Sequence, residues 1–75
     1  MDIYELMEFA QREMQARLLD EGCTDDWQWN DHCFQFVIIW NNGKVTGPYR
    51  FCYEEDEEFF GTAKEQVLEW MDERF

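Results

Sequence analysis

The sequence predicts an α+β domain: a three-stranded antiparallel sheet in the order α-β-β-β-α, with two helices packed on one face. Three observations predict it. The most apolar run, Cys33 to Trp40 (C-F-Q-F-V-I-I-W), leads into Asn42-Gly43, a strong hairpin signal. Stretches near both ends repeat apolar residues at helical spacing. With 75 residues and no repeat or linker, the chain holds one small domain, residues 1–75, and a modest core.

Asp2 to Glu21 is the first helix. Ile3, Leu6, Met7, Ala10, Met14 and Leu18 form one stripe, and Phe9 and Leu19 fall outside it. Asp2, Glu5 and Glu8 lie in the first turns and Arg17 in the last, the signs the helix dipole favours. Gly22 is the expected C-terminal stop. Cys23 to Asp26 then reads as a short acidic connection, Trp27-Gln28-Trp29 as a short strand, and Asn30-Asp31 as a turn.

Cys33 to Trp40 is the second strand and Lys44 to Tyr53 the third. Pro48 cannot donate to a ladder, so the third strand belongs at an edge and the second in the middle. A two-residue turn at Asn42-Gly43 sets the register. Trp40 then faces Val45, Phe36 faces Tyr49 and Phe34 faces Phe51 on a core face. Ile39 faces Thr46, Gln35 faces Arg50 and Cys33 faces Cys52 on a mixed one. After the acidic run Glu54–Glu58, Phe59-Phe60-Gly61 re-enters the core. Thr62 and Glu65 match a capping box, and a second helix runs from Ala63 to near the end. Val67, Trp70, Met71 and Leu68 form its buried face. Trp27, Trp29, Trp40 and Trp70 are read first as core.

Charge dominates what remains. Eighteen acidic and six basic residues give a formal net charge of -12, and such self-repulsion works against a compact state. Disorder usually accompanies such charge, but 45% hydrophobic and 19% aromatic residues argue for a folded core. Anionic lipid and nucleic acid would both be repelled, so neither a membrane nor direct nucleic-acid contact is expected. The N-terminal M-D-I-Y-E-L is acidic and lacks an apolar segment, so no signal peptide is expected. Three cysteines are too few and too odd in number for a disulfide framework and fit a reducing cytosol.

No catalytic, cofactor or metal motif stands out. Cys23, His32, Cys33 and Cys52 are the conceivable zinc ligands, but their spacing lacks the usual ligand pairs. Asp25 to Asp31 has two tryptophans and no glycine, unlike an EF-hand loop. The single histidine, His32, sits in a negative field that raises rather than lowers a thiol's pKa. The chain is therefore expected not to be an enzyme and to need no cofactor or metal.

The carboxylates themselves are the candidate site. Glu65, Glu69 and Asp72 fall along one helical stripe, spaced a few ångströms apart at about 1.5 Å of rise per residue. That scale is comparable to the phosphate spacing of B-DNA, about 3.4 Å of axis per strand. The candidate partner-binding residues are Glu54, Glu55, Asp56, Glu57 and Glu58, then Glu65, Glu69, Asp72 and Glu73, with Asp25 and Asp26 extending the surface. In size, acidity and mixed α/β build over its whole length, the chain resembles the small acidic proteins of phages and mobile elements that mimic DNA, including several anti-CRISPR proteins. That resemblance implies an inhibitor of a basic nucleic-acid groove, in a CRISPR effector, a restriction enzyme or another DNA-binding protein. The alternative is an acidic interaction module of another kind, an adaptor, an antitoxin-like partner or a homodimer, using the half-polar sheet face with Cys33, Val37 and Ile39 or the exposed aromatics as the contact.

Overall fold

A computed structural model of the chain describes residues 3–54 and 62–75. The elements are α1 (Ile3–Leu18), β1 (Gly22–Asn30), β2 (Cys33–Trp40), β3 (Val45–Cys52) and α2 (Ala63–Arg74). The strands form one antiparallel sheet in the order β1-β2-β3, with β2 central and the Pro48-bearing β3 at an edge, as expected. The fold is thus α+β in the order α-β-β-β-α. Asp2, residues 55–58, Phe59-Phe60-Gly61 and the side chain of Ile3 lie outside the described residues.

Alternation along β2 sorts the sheet into two faces. Phe34, Phe36 and Ile38 are buried, while Cys33, Gln35, Val37 and Ile39 between them are only half-buried. Both helices cover the Phe34–Ile38 face. α1 contributes Leu6, Ala10, Met14 and Leu18, one residue per turn along a single stripe; α2 contributes Ala63, Val67, Trp70 and Met71. Trp70 stands edge-on to Phe34 and Phe36 with ring centroids 6.2 and 6.0 Å away, and 5.4 Å from Phe51. Trp27 stacks on Phe36 at 4.5 Å and Trp29 on Phe34 at 5.3 Å from the β1 side. Of the four tryptophans only Trp70 is buried; Trp27, Trp29 and Trp40 are half-buried against the core. No charged or polar residue is buried among those described.

Several boundaries move for local reasons. α1 ends at Leu18, not Glu21, because Leu19 takes φ 55 and its N–H bonds back to Gln15 O. Gly22 is therefore not the helix stop. It pairs with Trp40 at the start of β1, where an added Cβ would lie 2.8 Å from Ile39 O, so close backbone approach is what requires glycine there. The expected acidic connection, Cys23 to Asp26, belongs to β1. Cys23, Thr24 and Asp25 pair with Ile39, Ile38 and Val37, and the two aspartates stay exposed, so the strand buries no charge. The first hairpin turns on Asp31-His32, with Asn30 already paired to Cys33 and Asp31 at φ 58.

The β2–β3 register matches the expectation at one end and departs from it at the other. Cys33–Cys52, Phe34–Phe51, Gln35–Arg50 and Phe36–Tyr49 pair as expected. Nearer the turn, Ile38 pairs with Thr46 and Ile39 with Val45. The loop is one residue longer than a two-residue turn: Trp40 N–H donates to Lys44 O, and Gly43 N–H donates to Trp40 O with Gly43 at φ 87. A bulge then sets Gly47 and Pro48 together against Val37 and restores the aromatic pairs. In consequence Val45, expected in the core, faces outward and is 58% exposed, while Thr46 takes the inward position. A second bulge, with Asp26 at φ 54, lies in β1 at the same level of β2. The central strand is therefore flanked on both sides by irregularities at Phe36–Val37.

Candidate functional site

α2 carries the clearest part of the expected acidic surface. Thr62 caps the helix, accepting the Glu65 N–H at 3.2 Å, and the inward stripe of Val67, Trp70 and Met71 turns Glu65, Glu69, Asp72 and Glu73 to solvent. Glu65 and Glu69 pair with no cation among the described residues. Asp72 instead receives Arg17 from α1, which also holds Glu13 at 3.0 Å. Hydrogen bonding to Asp72 raises the Arg17 pKa above its ordinary value against a desolvation cost, with Glu13 adding in the same direction. A raised basic pKa stabilises the fold below the unfolded value and loses that contribution only as pH rises through the raised one, so this clamp stays closed across neutral pH. Arg74 lies 3.6 Å from Glu73 and over the Trp70 ring.

Glu54, the first of the acidic run, is joined to this surface. Its N–H donates to Gln66 Oε1 at 2.7 Å, and Gln66 Nε2 donates to Glu54 O at 3.0 Å. Both backbone groups of Glu54 are thereby tied to Gln66 in the first turns of α2, and Glu54 is exposed. Glu55, Asp56, Glu57 and Glu58 lie outside the described residues. Asp25 and Asp26 are exposed but elsewhere: Asp25 pairs with Val37 on the sheet face opposite the helices, so the sheet stands between these two residues and the α2 carboxylates.

The cysteines also have defined places. Tyr53 N–H donates to His32 O at 3.1 Å, which makes the next pair inward, Cys33 with Cys52, a non-hydrogen-bonded position where side chains approach closely. The two sulfurs form a disulfide, with Cα atoms 4.0 Å apart. Cysteine count alone suggested free thiols; cross-strand register decides otherwise. Cys23 is free, exposed, and near the far end of the sheet opposite Ile39. Among the described residues no three His, Cys, Asp or Glu side chains gather as metal ligands, and no helix is long and apolar enough to cross a membrane.

Sequence reasoning did not anticipate an open groove of about 580 Å³ at the β2–β3 turn. Trp40, Asp20, Glu21, Lys44 and Thr46 are among the residues that line it. These residues lie in three separate segments, and only strand pairing brings them together. The one local signal was a tryptophan immediately before an Asn-Asn-Gly turn.

Comparison with protein-family models, with curated proteins and with solved structures finds no match to this chain.

Proposed function

We propose that the chain is a DNA-mimicking inhibitor that occupies the positively charged nucleic-acid groove of a DNA-binding protein, a bacterial defence complex such as a CRISPR effector being the kind of target that fits. One observation carries the reading. The net charge is -12, no described carboxylate is buried, and Glu65 and Glu69 on the outer side of α2, with Glu54 tied by its backbone to Gln66 of the same helix, pair with no cation among the described residues. A groove lined with Lys and Arg attracts such a surface for the reason it attracts phosphates. The target, the phage or mobile-element setting and the cytoplasmic location all belong to this proposal.

The test is a pull-down from bacterial lysate on immobilised protein, eluted with duplex DNA or with salt of matched ionic strength. Release of a nucleic-acid-binding protein by DNA but not by the salt control is the expected result, and Glu65→Lys with Glu69→Lys should prevent its capture. A captured partner that ignores DNA overturns the reading. A second reading, an interaction module that binds through its outer sheet face, draws on exposed Val45 beside half-buried Ile39 and Val37. It predicts capture that resists salt and is lost in Val45→Glu.

A further inference from the structure

The groove at the β2–β3 turn has a tethered indole and two unspent carboxylates in its lining. The Trp40 indole is tethered through its nitrogen. Its Nε1–H donates to Thr46 Oγ1 at 2.8 Å, and its ring edge lies over Gly22, where an added Cβ would be 3.4 Å from Trp40 Cε3. The closer approaches at position 22 are to the backbone, Ile39 O at 2.8 Å and Trp40 Cα at 3.3 Å, so glycine there lets β1 and the base of Trp40 meet closely. Asp20 and Glu21 are held through their backbone. Asn41 N–H donates to Glu21 O at 2.9 Å, and the Asn41 side-chain amide donates to Asp20 O. The carboxylates of Asp20 and Glu21 are exposed and make no hydrogen bond or ion pair among the described residues.

We propose that this groove receives a guanidinium-bearing side chain, an arginine presented by the basic surface of a protein partner. An aromatic face attracts a cation placed above it, most strongly when the cation is poorly hydrated, which favours guanidinium over ammonium. Two adjacent carboxylates accept the fork of N–H donors that guanidinium offers. The ring is tethered by its hydrogen bond to Thr46 and the backbone of Asp20 and Glu21 by Asn41, so the freedom lost on binding is confined to the two carboxylate side chains. Lys44 is the one cation among the described residues that line the groove, so it weakens the interaction. The identity of the occupant rests on the reading of the partner as a basic protein; the groove and its preference for a cation do not.

The test uses a small probe and no partner. N-acetyl-arginine methylamide is titrated into the intact, oxidised protein and followed by nitrogen–proton NMR at the Trp40 indole and at the amides of Asp20, Glu21 and Asn41. Saturable shifts at these positions are expected, with no response to neutral N-acetyl-norleucine methylamide. Asp20→Asn with Glu21→Gln, isosteric changes at exposed positions, should weaken binding roughly tenfold, and Lys44→Ala should tighten it about two- to threefold. Equal response to the neutral probe, unchanged affinity in the double variant, or weaker binding in Lys44→Ala each overturns the proposal. Failure here with DNA-sensitive capture intact removes the groove and leaves mimicry standing; binding here with DNA-insensitive capture does the reverse.

Discussion

The two ends of the β2–β3 ribbon are held by different means. At the Cys33–Cys52 end, covalent closure and the aromatic pairs Phe34–Phe51 and Phe36–Tyr49 act together, and Trp70 of α2 packs on three of those rings. At the turn end no ring stack or cross-link exists among the described residues. A three-residue loop with Gly43 in the left-handed region, the Trp40–Thr46 hydrogen bond and the Gly47–Pro48 bulge set the geometry. The first end is fixed by apolar packing, which tolerates one register only. The second is fixed by backbone conformation, which lets a residue be added in the loop and absorbed in the bulge. This difference explains why the open groove lies at the second end.

The comparison can be broken most severely where the ends meet. Phe36 is fully buried and touches Trp27, Tyr49, Trp70 and Phe75, at the level of both bulges. Phe36→Ala should destabilise the domain by about 3–5 kcal/mol, enough to unfold much of so small a protein. Urea melts read by far-UV circular dichroism check this, and a loss below about 1 kcal/mol would mean that the site collapses freely around the deletion. The next largest effect belongs to the packed end. Cys33→Ser with Cys52→Ser opens a loop of sequence separation 19 and should cost about 3 kcal/mol. The same change should leave the Trp40 indole resonance in place, because nothing at the turn end depends on the cross-link. A shift of that resonance would show the two ends to be coupled.

How far each end was legible in the sequence follows from the same contrast. Alternation marks Phe34, Phe36, Tyr49 and Phe51 as one face; their pairing, and the Cys33–Cys52 adjacency with it, was counted from a two-residue turn and holds because the bulge returns the residue that the longer loop adds. The turn end could not be read. Asn42-Gly43 fits a two-residue turn as well as the last part of a three-residue one, and the Gly47–Pro48 interruption did not reveal that it returns the residue the loop had added. Val45 and Thr46, between the two irregularities, were thereby assigned to the wrong faces. The helices were legible because their stripes repeat over several turns, and with them the outward position of Glu65, Glu69, Asp72 and Glu73. That Asp72 is clamped by Arg17, and that Asp25 lies behind the sheet from α2, are facts of packing with no local signature.

The bulge itself is tested at Gly47. Its φ of 117 is a conformation L side chains rarely adopt, and an added Cβ would lie 3.1 Å from Phe36 O and 3.2 Å from Tyr49 N, both backbone atoms. Gly47→Ala should therefore cost about 2 kcal/mol, a smaller loss than opening the disulfide. Its structural effect should be confined to the turn end, read as amide shifts at Thr46 and Ile38 with those of Phe34 and Phe51 unchanged. Spread of the shifts to Phe51 would mean that the bulge, and not aromatic packing, holds the register at both ends.

Gly43 gives the smallest and most discriminating effect. It too has positive φ, at 87, but an added Cβ would meet nothing within 4 Å. Only intrinsic backbone preference opposes a side chain there, about 1–2 kcal/mol for a left-handed residue. Alanine also restricts the unfolded chain, which returns about 0.4–1 kcal/mol. Gly43→Ala should thus cost no more than about 1 kcal/mol net, and Gly43→Asn less still, since asparagine enters the left-handed region more readily. Both glycines need positive φ, but Gly47 lies further from the left-handed well, at φ 117 against 87, and is also enclosed by its neighbours' backbone, so the gap between Gly47→Ala and Gly43→Ala measures these two together. Equal losses at the two positions would place the constraint in backbone conformation throughout, and the bulge would then be a consequence of the loop length rather than a separately packed feature.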